Sequence, residues 1–173
     1  MSKLLLALLI GASLITMSFN TIAAEKMGQT TAEYNAAKAR ADADYNASYS
    51  RCKALSGNDR DVCLQTAKAA RSKAKAEAKA NFEGTGEAKL KAREETIEGD
   101  YKVAIEKCDS LSGDAKDVCR AEAKATYAKE EAMLEAHEKS MAADYKVAKE
   151  RCSTLSRTAR RSCLQEAKMK FDD

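Results

Sequence analysis

The feature that most constrains this chain is a cysteine pair with ten residues between its members, and it occurs three times. The pairs are Cys52 and Cys63, Cys108 and Cys119, and Cys152 and Cys163. Each pair sits in a longer repeat, clearest over 100–124 as D-Y-K-V-A-I-E-K-C-D-S-L-S-G-D-A-K-D-V-C-R-A-E-A-K, with degenerate copies over 44–68 and 144–168. In one continuous helix, residues eleven apart are separated by roughly 16 Å. A disulfide needs Cα atoms about 4.4 to 6.8 Å apart. If each pair bonds within its own copy, the chain must double back between its members. Six cysteines permit many pairings. The repeat makes each unit self-sufficient and favours the pairing within copies. Closing so short a loop stabilises by about 3 kcal/mol on the chain-entropy estimate.

The outgoing arm of each copy reads as a helix with one apolar seam. Tyr34, Ala41, Tyr45, Ser48, Cys52 and Leu55 mark it in copy one. Leu90, Ile97, Tyr101, Ala104, Cys108 and Leu111 mark it in copy two, and Leu134, Met141, Tyr145, Ala148, Cys152 and Leu155 in copy three. Steps of three and four residues are those of a helix face packed on a partner. A register shared by three copies is a structural repeat. Each seam carries one charge, at Lys38, Glu94 and Glu138, which needs solvent or an opposite partner.

The turns are legible too. Ser56-Gly57-Asn58 and Ser112-Gly113-Asp114 place Gly57 and Gly113 where a left-handed residue closes a helix. Asn58 and Asp114 are then the expected N-caps of the return helices. Asp61 and Asp117 follow in the first turn, where negative charge is favoured. Copy three has Arg157 for glycine, Thr158 as the expected cap and Arg161 for the acid, so its turn is expected to be the least stable. Thr30 or Thr31 caps the first helix, after a loose leader. The return helix of copy one is expected over about 59–81. Glu83-Gly84-Thr85-Gly86-Glu87 is the clearest break and the best hinge candidate. Gly99 weakens its helix by about 1 kcal/mol relative to alanine. From Ala115 through Leu155 no breaker occurs, which leaves copies two and three free to share one rod of about 60 Å. Its only soft point is Lys139-Ser140.

The first two dozen residues read as a targeting segment. Lys3 supplies a positive start, Leu4 to Ile10 and on to Phe19 an apolar stretch, and Ala23 or Ala24 a cleavage point. This is the pattern of a secretory signal peptide. The chain then divides into a signal peptide over 1–24 and hairpin repeats over 25–83, 87–130 and 131–173. An exported chain with an even number of cysteines is expected to hold disulfides. The signal fits a bacterial periplasm, with no membrane-spanning segment left after cleavage.

Composition agrees with long helices: no proline, no tryptophan, and 33% charged residues. A formal charge of only +3 does not mark a nucleic-acid binder. Alanine seams bury little area, so a thin core held by sulfur staples is expected.

Chemistry-bearing residues are few. Redox cysteines favour C-x-x-C at a helix N-terminus. The wide, thrice-repeated spacing here points to structural bonds instead. The single histidine, His137, lies in the Glu-rich stretch E-E-A-M-L-E-A-H-E, far from any cysteine, and reads as a solvated helical residue. No metal or cofactor is implied. One histidine and no glycine-rich phosphate loop argue against an enzyme. Tyr45, Tyr101 and Tyr145 read as packing residues beside the disulfides. Two basic stretches are candidate contacts for an anionic surface: Lys68, Arg71, Lys73, Lys75 and Lys79, and the cluster Arg157, Arg160 and Arg161.

Over most of the sequence beyond 24, the units at 100–124 and 52–63 resemble an uncharacterised proteobacterial family of exported Ala/Lys-rich proteins with repeated Cys pairs. Its members are sometimes labelled TolA-like or cell-envelope biogenesis proteins. The resemblance implies no activity and no catalytic residues.

Together these readings predict an all-α fold of repeated, disulfide-stapled antiparallel hairpins with long Ala-rich helices. The expected role is that of a non-enzymatic periplasmic module, structural, interactive or stress-protective. Binding to an anionic envelope surface or to a helical protein partner is the second reading, and thiol-redox work the third.

Overall fold

In the computed structural model, residues 29–171 are described. They form five helices: α1 (Thr31–Cys52), α2 (Gly57–Glu83), α3 (Gly86–Cys108), α4 (Gly113–Ser153) and α5 (Arg157–Phe171). Among the described residues there is no strand. Every substantial packing interface joins helices consecutive in sequence, α1 with α2, α2 with α3, α3 with α4 and α4 with α5. The chain is therefore an antiparallel meander. The expected fold class, stapled helical hairpins in series, is the one observed.

The start of α1 follows the sequence closely. Thr30 is extended, its hydroxyl accepts from the Glu33 amide at 3.2 Å, and the Glu33 carboxylate accepts from the Thr30 amide at 2.8 Å. Two backbone donors are thus satisfied reciprocally. The Thr30 amide, foremost, holds the Glu33 carboxyl below its ordinary range. The end of the leader is tied down rather than loose, since the Gln29 amide donates to the Asn81 carbonyl at 3.0 Å.

The turns differ from expectation by a few residues. The outgoing helices stop at Cys52 and Cys108, and three-residue bonds such as Leu55 N–H to Cys52 C=O, 3.0 Å, tighten the chain beyond them. Gly57 and Gly113 are left-handed, with φ of +58° and +56°. The N-caps, however, are the extended Ser56 and Ser112, and neither makes a side-chain cap bond. Asn58 and Asp114 are not caps; each is the second residue of its helix. The reversal is completed by an extended serine followed by a left-handed glycine, so the chain is already helical when it reaches the amide or carboxylate. Thr158 likewise lies inside α5, which begins at Arg157. Among the described residues no non-glycine has positive φ. The third reversal, residues 154–156, therefore turns without a left-handed residue.

The glycine-rich break is a two-residue connection with both boundary signals present. Gly84 is left-handed and donates to Ala80 C=O at 2.8 Å, while the Thr85 hydroxyl accepts from the Ala88 amide at 3.2 Å. Around it α2 and α3 form the most extensive interface of the molecule. The break is a tight packed turn, and the division between residues 83 and 87 falls inside a packed pair.

The buried core is thin, as the composition implied. It consists of eight alanines, three cysteines and Ile97. Ala80, Ala88 and Ala92 form its centre, with Ala76 packed against them. Gly99 belongs to this contact, because a Cβ placed on it would lie 3.1 Å from the Ala69 Cβ. Its helix-weakening backbone is the condition for close approach of α2 and α3.

The rod is continuous. α4 runs 41 residues, about 60 Å, with no interruption at Lys139-Ser140. Its first half pairs with α3 and its second with α5. Up-down order puts the α1/α2 and α3/α4 reversals at one end and the α4/α5 reversal at the other. No described helix is long and apolar enough to cross a membrane.

Candidate functional site

The chemistry of the chain is concentrated at the three hairpin tips. Cys52–Cys63, Cys108–Cys119 and Cys152–Cys163 are bonded, with Cα–Cα distances of 5.5, 5.7 and 5.5 Å. No free cysteine remains. The first cysteine of each pair is fully shielded, at 0%, 0% and 1% exposure. The second is half-buried. Each bond joins the last turn of one helix to the first turns of the next.

The leucine that ends each seam does not pack. Leu55, Leu111 and Leu155 are 43%, 41% and 40% exposed. They lie beyond the observed helix ends, where the seam register no longer applies. Each tip thus carries one leucine in solvent beside a shielded sulfur.

The tyrosines pack, against rings and cations. The Arg71 guanidinium lies 4.9 Å from the Tyr45 ring centre, and Tyr101 meets Tyr127 of α4 at 4.7 Å. Tyr34 stacks on Phe82 of α2 at 4.8 Å, and Lys149 lies 5.0 Å from the Tyr145 ring centre. The Tyr127 hydroxyl donates to Glu131, and this bond, foremost, pushes its pKa up to about 12. The charged seam positions are resolved as the chemistry requires. Lys38 lies over the Tyr34 ring at 5.0 Å, while Glu94 and Glu138 face solvent.

A cross-tip contact recurs that the sequence reading missed. At the second tip, Asp109 receives Lys116 at 2.9 Å and Arg120 at 2.6 Å. Lys116, then Arg120, holds its carboxyl below the usual range. At the third tip the equivalent pair is Ser153 and Arg160, and the Arg160 guanidinium donates to the Ser153 carbonyl. At the first tip both positions are cationic, Lys53 and Arg60, and Lys53 lies over the Tyr49 ring at 4.7 Å instead. The signal was available: the residue after the first cysteine and the residue three before the second face one another across each turn.

The two basic stretches separate sharply. In α2, Arg71 and Lys75 both reach Asp42 of α1 at 2.6 Å. Lys75, foremost, holds the Asp42 carboxyl below its ordinary value. Lys73 faces Glu77 at 4.0 Å and Lys79 faces Glu83 at 3.6 Å. Most of that stretch is neutralised within the fold, with Lys68 exposed beside it. Arg157, Arg160 and Arg161 are exposed at the start of α5, whose first turn holds no acid.

His137 is exposed, on the rim of a cleft of about 520 Å³ lined by Leu90, Met133, Leu134, Met141, Tyr145 and Phe171. Among the described residues no group of three His, Cys, Asp or Glu converges as metal ligands would.

These features define a chain of all-α hairpins, each closed by its own disulfide. Comparison with known protein families, characterised proteins and solved structures finds no match.

Proposed function

We propose that this chain is a non-enzymatic helical module of the periplasm, exported through a cleaved signal peptide. In this reading it presents disulfide-locked hairpin tips to other components of the envelope, in a structural, interactive or protective role. The observation that supports this reading most is the state of the sulfurs. Three bonds of the same span lock three reversals, and the first cysteine of each is shielded from solvent. A thiol that exchanges must reach an attacking thiolate, so shielding favours permanence over redox work. A core of alanines with little apolar area gives such bonds a clear purpose. The resemblance to exported Ala/Lys-rich Cys-pair proteins supports the same compartment.

The test is the redox state and the contacts of the protein in its cell. Peptide mapping without reduction should find the three bonds in material recovered from the periplasm. Crosslinking in intact envelopes should give discrete products that disappear when a tip is opened by Cys108→Ala with Cys119→Ala. Free thiols in the recovered protein, or retention in the cytoplasm, would refute the reading.

Binding to an anionic surface is a second reading, favoured by the exposed cations at the start of α5.

A further inference from the structure

The three tips are built on one plan but differ in charge. Over the sixteen positions 46–61, copy one has three cations, Arg51, Lys53 and Arg60, against two carboxylates, Asp59 and Asp61. Over 102–117, copy two has three cations against four carboxylates, and Asp109 is already clamped by Lys116 and Arg120. Over 146–161, copy three has six cations, Lys146, Lys149, Arg151, Arg157, Arg160 and Arg161, against the single carboxylate of Glu150. All six are exposed. The third tip also carries exposed apolar side chains, Val147 at 49%, Leu155 at 40% and Leu164 at 37%. The α2 stretch shows how this fold treats cations that serve only the fold, since Arg71, Lys73, Lys75 and Lys79 all have carboxylates within reach. Among the described contacts of the third tip, Lys149 lies over the Tyr145 ring and Arg160 donates to a backbone carbonyl, and neither charge meets a carboxylate.

We propose that the tip of the third hairpin is a docking surface for an anionic lipid bilayer. Cations at this density attract a negatively charged headgroup layer. The apolar side chains among them enter the headgroup boundary, as they do in interfacial segments that pair basic with apolar residues. That apolar component selects a bilayer over a free phosphate, which would offer it nothing. The other two tips carry the same exposed leucine with charge nearly balanced, three cations against two and against four carboxylates, and they do not bind. This deepens the exported-module reading and rests on it only for access to a membrane surface.

The experiment uses the oxidised chain without its signal segment and sedimentation with vesicles. One set is equimolar phosphatidylglycerol and phosphatidylcholine, the other phosphatidylcholine alone. The chain binds the first set and not the second, and binding weakens as salt rises. Each cation at such a surface is worth roughly fivefold in affinity. Arg157→Gln with Arg161→Gln, which leaves the Arg160 to Ser153 bond intact, therefore lowers affinity about 25-fold. Lys73→Gln with Lys75→Gln and Lys79→Gln stays within about twofold, because those charges are met by carboxylates. Circular dichroism checks that both variants are folded. No binding to the anionic vesicles, equal binding to neutral ones, or equal loss in both variants overturns the proposal. Thiol content of the protein recovered from cells tests the exported reading separately, so the two fail by different results.

Discussion

Removing the disulfides one pair at a time should give two different kinds of damage. Each bond closes a loop with a separation of 11 residues. Loop-closure entropy for that length corresponds to about 2.8 kcal/mol at each site. Cys108→Ala with Cys119→Ala adds a small packing loss for the shielded sulfur, of order 1 kcal/mol. Alanine avoids leaving a buried hydroxyl unpaired. The expected cost is therefore about 3–4 kcal/mol, read as a fall in the urea midpoint of roughly 1–3 M. The denaturant slope should rise, because the unfolded chain without the crosslink exposes more surface. Helices α3 and α4 keep their other neighbours, so the native helical signal should persist in water. The third pair behaves differently. α5 is 15 residues long and packs substantially on α4 alone. Isolated helices of that length are marginal. Cys152→Ala with Cys163→Ala should therefore unfold α5 locally, lowering far-ultraviolet circular dichroism in the absence of denaturant while the main transition stays in place. Hydrogen exchange should place the loss in residues 157–171. If any pair costs under about 1 kcal/mol, or if the third variant keeps α5 protected, the argument that bonds rather than packing hold these reversals is wrong.

Gly99→Ala should not give the gain of about 1 kcal/mol that helix propensity promises, because the new methyl meets Ala69 at 3.1 Å; Gly99→Leu should be severely destabilising in thermal melts. Gly113→Ala meets nothing within 4 Å, so its cost is the left-handed backbone alone, about 1–2 kcal/mol by urea unfolding, and Gly57→Ala should match it. The Asp109 carboxyl is lowered in the folded chain, so its contribution is present above the ordinary carboxylate range and is lost as pH falls through the lowered value. The thermal midpoints of the parent and of Asp109→Asn should therefore differ at neutral pH and converge only as pH falls below the ordinary carboxylate range and through the lowered value. Tyr127 is raised, so its contribution is complete below about pH 10 and is lost as pH climbs through about 12; ultraviolet titration should show a late phenolate that Glu131→Gln moves down toward the ordinary tyrosine range, with burial, Glu98 and Glu94 still holding it up.

Much of this fold could be read in advance because its rules are local. The cysteine spacing demanded a reversal, and the shared seam register placed Ala41, Ile97 and the first cysteine of each pair in the interior. The lack of breakers after Ala115 left room for one long helix, and α4 is that helix. What escaped was set by neighbours distant in sequence or by the geometry of a few turn residues. Asn58 and Asp114 are good capping residues by type, but the helix already begins at the left-handed glycine directly before them, which moves the cap to the preceding serine. Gly84 and Gly86 read as a hinge, since nothing local shows that alanines eight residues apart, Ala80 and Ala88, will meet across the turn. The two basic stretches looked equivalent in sequence. The register of α1 on α2, which brings Asp42 to Arg71 and Lys75, separates them, together with the local pairs Lys73–Glu77 and Lys79–Glu83.

The 41 residues of α4 keep the second and third reversals apart by several multiples of the ionic screening distance, about 8 Å at physiological salt. The acidic character of one end is therefore invisible at the other, and each can evolve its own polarity without a penalty in folding. The same helix ties them mechanically, because an unbroken ladder of backbone bonds transmits a push or a pull that mobile ions would hide. Two encounters made by one molecule would share a fixed spacing while remaining electrically independent.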